Sequence, residues 1–193
     1  MTDLIAPWPV TKAGRRALER SVRAMLGHTV EGAQYLFPAS SDHVERRHFA
    51  GFDEVDMGVE LLTAAGGVFS VFWYMEGFNE GLAVARGTPA PLADRHLTAL
   101  TVSDTVEWRR ISGNPITAVG LAWHVPNENC PEAVWALRLM LRDAPSLVIA
   151  LGEAHEVRQI TYIPDSLVVI FDEAVARNYH IPASAQSSWG GLV

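Results

Sequence analysis

The sequence predicts an α+β fold that consists mainly of antiparallel β-sheet, with an N-terminal helix and a short C-terminal helix. Residues 55–85 and 132–172 contain runs with apolar side chains at alternate positions, which is the period of a half-buried strand. Residues 12–26 instead place apolar side chains at helical spacing. The chain therefore has two strand-rich halves, which form either one continuous sheet or two packed sheets.

Residues 132–172 organise the predicted fold. Side chains in residues 133–142 alternate between an apolar face and a mixed face, because successive side chains on a strand point in opposite directions. Leu147–Leu151 and residues 167–171 are apolar throughout, which is typical of strands that are covered on both faces. Residues 157–163 alternate again. The connections are too short for parallel crossovers, so we expect antiparallel neighbours.

The first half begins with the N-terminal helix. Thr11 is the expected N-cap, and Gly27 follows the C-terminal end. Between them, Leu18, Val22 and Met25 form an apolar stripe that we expect to pack on a sheet. The strands expected after this helix are residues 30–37, 55–61, 69–75 and 82–85.

The second half follows the longest loop-like stretch, residues 86–95, which contains two prolines. We therefore place a seam between the halves at residues 86–96. The elements expected after it are a strand at 97–102, a helical turn that carries Trp108, a strand at 116–125, the strands of residues 132–172 and a helix at 173–179. Together these elements predict a single α+β domain over residues 1–182, followed by a flexible tail at 183–193.

Composition narrows the class of protein. Apolar residues make up 49% of the 193 residues, which is ample for a hydrophobic core. No apolar run approaches the roughly 20 residues that a membrane helix needs, and the N-terminus lacks the basic start of a signal peptide. The single cysteine, Cys130, excludes an internal disulfide. We therefore expect a cytoplasmic protein that does not engage a membrane and needs no cofactor.

Charge is distributed unevenly along the chain. The formal net charge is −7, which argues against nucleic acid as the partner, because phosphate binding requires excess positive charge. The N-terminal helix is nevertheless basic, and its only acidic residue is Glu19. Its basic residues are Lys12, Arg15, Arg16, Arg20 and Arg23. This helix is either a solvated face beside an acidic body or a surface that binds a partner.

A group of acidic residues in the first half has two interpretations. The group consists of Asp53, Glu54, Asp56 and Glu60. Such a cluster is usually a solvated face. Alternatively, these four residues form a protein-binding site, in which complementary charge accelerates association with a basic partner. On the second interpretation, charge reversal within the group would weaken binding.

Four residues of the second half are candidates for chemistry. Glu153 and His155 share a face if their strand continues, and His124 can join them as metal ligands or as an acid–base pair. Cys130 lies near His124 and becomes a nucleophile if that histidine acts as its base. The alternative is that residues 151–157 form an exposed charged turn and that Cys130 is a small buried side chain. The sequence contains no phosphate loop, HExxH, GxSxG or paired CxxC motif.

These observations lead to three hypotheses about function. The first is a non-enzymatic, protein-binding module with the character of a bacterial immunity protein, an analogy that rests on small size, acidity and the lack of catalytic motifs. The second is a small-molecule-binding protein or an enzyme, with or without a metal, whose cleft lies near His124, Cys130, Glu153 and His155. The third is a structural subunit that forms homo-oligomers through a sheet edge.

Overall fold

The computed structural model of the chain describes residues 4–39, 44–89, 92, 96–156, 159–182 and 184–193. Three helices lie entirely within these residues, namely α1 (Lys12–Arg23), α2 (Val106–Ile111) and α3 (Glu173–Asn178), and Ala64–Gly66 forms one turn of 3₁₀-helix. The strands are β1 (Thr29–Pro38), β2 (Arg47–Phe49), β3 (Phe52–Val55), β4 (Gly58–Thr63), β5 (Gly67–Glu76), β6 (Asn79–Arg86), β7 (Leu97–Thr101), β8 (Asn114–His124), β9 (Ala133–Leu141), β10 (Leu147–Leu151), β11 (Glu153–Glu156), β12 (Gln159–Thr161), β13 (Leu167–Ile170) and β14 (Gly191–Leu192).

Most of these strands belong to a single antiparallel sheet, which confirms the predicted fold class. Their order is β2-β3-β13-β10-β9-β8-β1-β4-β5-β6, with β7 also paired to β1 and β14 to β8. Strands β11 and β12 form a separate hairpin. β6 contacts β9 although four strands lie between them in the sheet. The sheet therefore folds back on itself, and its two halves face each other across a common core.

Large side chains from both halves fill this core. Tyr35 of β1, Trp108 of α2 and Trp135 of β9 are fully buried. Helix α1 adds its predicted apolar stripe, since Leu18 and Val22 are also buried. The helix therefore covers the core with one face and leaves the other face to solvent.

The two halves repeat the same order of elements. In the first half, α1 leads into an antiparallel meander of β1, β4, β5 and β6, and β7 then returns beside β1. In the second half, α2 leads into a meander of β8, β9, β10 and β13, and β14 then returns beside β8. The topology indicates an internal duplication. No short sequence repeat reveals it.

Backbone hydrogen bonds at the junction of the halves follow the same relation. Gly27 N donates to Ile116 O at 2.9 Å, and Gly113 N donates to Val30 O at 2.8 Å. Gly27 and Val30 have the same spacing as Gly113 and Ile116, so the two bonds are exchanged reciprocally. Both glycines have positive φ and end the helical segment that precedes their strand. The halves are therefore related by an approximate two-fold symmetry.

The strands that return beside β1 and β8 obey this symmetry as well. Val102 N, just after β7, donates to Ala33 O at 3.1 Å. Val193 N, just after β14, donates to Val119 O at 3.0 Å. Ala33 and Val119 occupy equivalent positions on β1 and β8. The C-terminal segment thus takes the place in the second half that β7 takes in the first.

Three regions differ from the sequence-based expectation. The single strand expected at 55–61 is divided, because Met57 N bonds to Leu36 O and β3 leaves the first half to pair with β13. Glu153–Glu156, expected as a turn, forms a strand with Gln159–Thr161, and residues 157–158 lie outside the described part. Much of the expected seam at 86–96 also lies outside it. The chain enters the second half after β7, through α2.

The C-terminal segment, where we expected a flexible tail, makes specific contacts. The side chain of Gln186 accepts from Trp123 N at 3.0 Å, and Ser188 Oγ donates to Ala176 O at 2.7 Å. Gly190 lies against the backbone of Leu121. Its φ of 61° is one that residues with a β-carbon rarely adopt.

We expect Gly190→Ala to destabilise the protein by more than about 2 kcal/mol, because it adds a clash to an unfavourable backbone conformation. A β-carbon at this position would lie 2.7 Å from the carbonyl carbon of Leu121. Gly27→Ala is the matched control: its φ is 80°, but a β-carbon added there would have no neighbour within 4 Å. Urea unfolding of both variants measures the difference, and equal losses would contradict the close packing of this segment.

Candidate functional site

The solvent face of α1 carries a row of positive charges, which we call the basic stripe. It consists of Lys12, Arg16, Arg20 and Arg23. Residues at this spacing lie on one face of a helix, and all four side chains are exposed. Among the described residues, none of them forms an ion pair or a side-chain hydrogen bond. The stripe is therefore a concentrated positive surface that the described part of the chain does not neutralise.

The basic residue outside the stripe, Arg15, fastens the helix to the body. Its Nη1 lies 2.7 Å from Glu132 Oε2, and its Nε lies 3.5 Å from Glu19 Oε1. Its guanidinium carbon lies 3.9 Å from the centre of the Trp123 ring, which is a cation–π distance. These contacts and the buried apolar stripe fix the direction in which the basic stripe points.

The first part of the basic stripe is unfavourable for the helix that carries it, whereas Arg20 and Arg23 lie in the last turn, where positive charge is favourable. The first turn of α1 has no acidic residue, and Lys12 stands at the positive end of the helix dipole. Like charges at i, i+4 spacing repel each other. Exposed apolar side chains flank the stripe at both ends: Val10 is 79% exposed and Leu26 is 40% exposed. The helix dipole therefore favours Arg20 and Arg23 but not Lys12.

The acidic group of the first half is mostly buried, although we expected it at the surface. The prediction of a solvated face is wrong for Asp53, Glu54 and Glu60, which are buried, and only Asp56 is exposed. The reason is that donors from distant parts of the chain surround the three carboxylates. If this group were a protein-binding site, only Asp56 would be exposed to contact a basic partner.

Asp53 is the centre of a polar network between the two halves. Its carboxylate is completely buried and accepts from Tyr35 Oη at 2.6 Å and from Arg46 Nε at 2.9 Å. His48 Nδ1 lies 2.8 Å from the other oxygen. Arg46 Nη2 also donates to Glu107 at 2.6 Å. The network thus joins β1, the hairpin of β2 and β3, and α2.

Protonation in this network follows from its contacts. Burial and the neighbouring Asp53 raise the pKa of Tyr35 well above its ordinary value, so the hydroxyl remains a donor. Burial opposes ionisation of Glu107, but a backbone hydrogen bond and Arg46 outweigh it and lower the pKa. Glu107 is therefore ionised at neutral pH. The arrangement is a satisfied internal ion network, which explains why buried charge is tolerated here.

The other two buried acids are also satisfied within the chain. Glu54 pairs with Arg47 and accepts from Ala154 N at 2.9 Å. Glu60 accepts from the side chains of Gln34 at 2.5 Å, Thr88 at 2.8 Å and Ser70 at 3.2 Å. These carboxylates hold strands and loops together. They have no free oxygen pointing to a partner surface.

The four candidates for chemistry occupy separate surroundings. His124, at the end of β8, is 3% exposed and contacts the rings of Trp135 and Tyr162. Cys130 donates from its thiol to Phe78 O at 3.3 Å. Glu153 and His155 lie on the β11–β12 hairpin, where Glu153 is half-buried and His155 is exposed. No hydrogen bond or ion pair joins any two of the four, all of which lie within the described residues.

The buried histidine has neighbours that the sequence did not indicate. Tyr162, which contacts His124, donates to Glu80 at 2.5 Å, and these residues come from distant segments. Neither ring nitrogen of His124 has a hydrogen-bond partner, and burial lowers its pKa to about 4. The described residues contain no group of three or more His, Cys, Asp or Glu side chains placed to hold a metal ion.

A groove of about 450 Å³ lies between the β11–β12 hairpin and α3. Its lining includes Gln159, Asp172, Asn178 and His180. The size is within the range of small-molecule sites. None of the four candidates for chemistry lines it.

No protein family, curated protein or solved structure matches this chain. None of the helices in the described residues is long and apolar enough to cross a membrane. Conclusions about function therefore depend on the chain's own surfaces, of which the basic stripe is the most distinctive.

We expect Asp53→Asn to reduce the free energy of unfolding by about 3 kcal/mol, because the substitution removes the buried charge to which Tyr35 and Arg46 donate and leaves Glu107 alone to balance Arg46. Asp56→Asn is the matched control. It removes the same charge from an exposed side chain and should change stability by less than about 0.5 kcal/mol. Urea unfolding at neutral pH measures both variants. A similar effect of the two substitutions would contradict the central role of Asp53.

We expect stability to fall as the pH decreases from about 6.5 to about 4, because the unfolded state then binds a proton that buried His124 does not bind. The folded pKa of about 4 lies below the ordinary value of 6.5, and the contribution that is lost amounts to at most roughly 3 kcal/mol. Unfolding free energies over this pH range should fall less steeply in His124→Gln. The exposed control His155→Gln should keep the wild-type slope, and identical slopes in all three proteins would refute the assignment.

Proposed function

We propose that this protein is a non-enzymatic binding module that engages an acidic surface of another protein through the basic stripe of α1. The observation that carries the proposal is the row of four exposed, unneutralised cations in a chain whose net charge is −7. The structure buries three of the four acidic residues considered above in internal contacts. The stripe is therefore a better candidate for the contact with a partner than the acidic group is.

The proposed contact combines long-range and short-range forces. The stripe attracts a complementary surface and raises the association rate, an effect that salt weakens because the charges are exposed. Val10 and Leu26, at the two ends, supply apolar area that can be buried on contact. A rigid helix with a fixed outer face binds without reorganisation. This is the behaviour of an immunity protein, which blocks another protein by covering part of its surface.

A protein is favoured as the partner over nucleic acid and over a membrane surface, which are also negatively charged. The remainder of the chain is strongly acidic and would repel the continuous negative charge of nucleic acid. Membrane-surface helices insert their apolar face between lipids. The apolar face of α1 is already in the core, where Leu18 and Val22 are buried.

The test compares two double variants that change the net charge equally. Arg16→Glu with Arg20→Glu reverses the middle of the stripe. Arg109→Glu with Arg142→Glu reverses two exposed arginines elsewhere that form no ion pair with a described residue. Each protein is used to capture its partner from a cell lysate at low salt. We expect the stripe variant to lose the partner that the wild-type protein captures, with affinity reduced about tenfold or more. The control variant should retain it.

Three outcomes would contradict the proposal. Equal capture by both variants would show that the contact lies elsewhere. Capture that nuclease treatment abolishes would make the partner a nucleic acid. A wild-type protein that retains no partner at low salt would instead favour the small-molecule hypothesis, for which the groove between the β11–β12 hairpin and α3 is the feature to examine.

A further inference from the structure

Arg138 on β9 is a buried cation to which the described residues offer no anionic partner. Its side chain is 6% exposed, and within the described ranges it forms neither an ion pair nor a hydrogen bond. The enclosed Nε has no acceptor. Burial, and to a smaller extent nearby Arg177, lowers the pKa of Arg138, but arginine keeps its charge in proteins. A buried charge of this kind normally has a counter-ion.

The surroundings of Arg138 contain more positive than negative charge. Its guanidinium carbon lies 4.4 Å from the centre of the Trp189 ring, and that of Arg177 lies at the same distance from this ring. Arg177 pairs with Glu173 at 2.7 Å. Among the described side chains, these two arginines and one glutamate leave one positive charge uncompensated. The cation–π contact contributes up to about 2 kcal/mol, which is less than the several kcal/mol that burial of an ion costs.

Neighbouring residues leave space for the guanidinium. Arg138 pairs across the sheet with Gly120, and a β-carbon on Gly120 would lie 3.2 Å from Arg138 Nε. The backbone of Gly191 in β14 lies on the same side, 3.1 Å from that β-carbon position. The C-terminal segment thus partly covers Arg138.

We propose that Arg138 and Arg177 bind a monovalent carboxylate beside Trp189. The fork of N–H groups on a guanidinium matches the two oxygens of a carboxylate and forms paired hydrogen bonds. A single negative charge neutralises the excess at this site, whereas Glu173 opposes a dianion such as phosphate. This site is independent of the basic stripe and of the partner proposed for it.

The test is a titration of the wild-type protein with acetate at constant ionic strength, followed through the Nε–Hε signal of Arg138 in NMR spectra. Arg138→Lys identifies the signal, and it keeps the charge while removing the fork. We expect a saturable shift in the wild-type protein. Arg177→Gln should weaken acetate binding several-fold, and Arg142→Gln, an exposed control, should leave it unchanged.

Two results would overturn the proposal. A shift that does not saturate, or that chloride reproduces, would show that acetate does not bind Arg138. Tighter binding of inorganic phosphate than of acetate would refute a site for a single charge. If Arg138→Lys does not fold, the wild-type titration and the Arg177→Gln comparison still decide the question, because Arg177 is exposed and its replacement removes only its contacts with Trp189 and Glu173.

Discussion

Backbone pairing between β1 and β8 joins the two halves of the sheet, and much of the architecture depends on it. The pairing is short, with Thr29 opposite Pro115 and Val30 opposite Asn114. Each strand is preceded by a helical segment whose glycine bonds across to the other strand. Buried backbone groups must be paired, so this reciprocal exchange fixes where the C-terminal ends of both helices meet the sheet. The positions of the basic stripe and of the Asp53 network follow from it.

The hairpin of β2 and β3 breaks the symmetry between the halves. It belongs to the first half in sequence but extends the second half in space, because β3 pairs with β13. Because the hairpin crosses to the second half, it carries charged residues into the interior. There Asp53 accepts hydrogen bonds from Tyr35 and Arg46. The network secures the crossing hairpin to both halves. Because these acidic residues are buried in the fold, α1 is the prominent charged feature of the surface.

Local periodicity made part of this structure predictable. The apolar stripe of α1 and the apolar face of β9 are periodic over many residues, and both lie where the pattern indicates, although the other face of β9 is buried as well. Burial of an acidic residue has no such signature, because it depends on donors that folding brings from elsewhere. Glu54, for example, is satisfied by Ala154 N, 100 positions away. The burial of Arg138 was likewise not predictable, because an arginine in an alternating strand is expected to face solvent.

The crossing hairpin has a consequence for the order in which the protein is made. The contact between Ser166 and Val55 joins residues 111 positions apart. During synthesis β3 leaves the ribosome long before β13 exists, and the edge of β3 that does not pair with β2 has no sheet partner in the interval. Pairings between such distant segments form slowly and leave strand edges open to other chains. The charged residues of this hairpin then serve a second purpose, because charge on an unpaired edge discourages aggregation until the second half is complete.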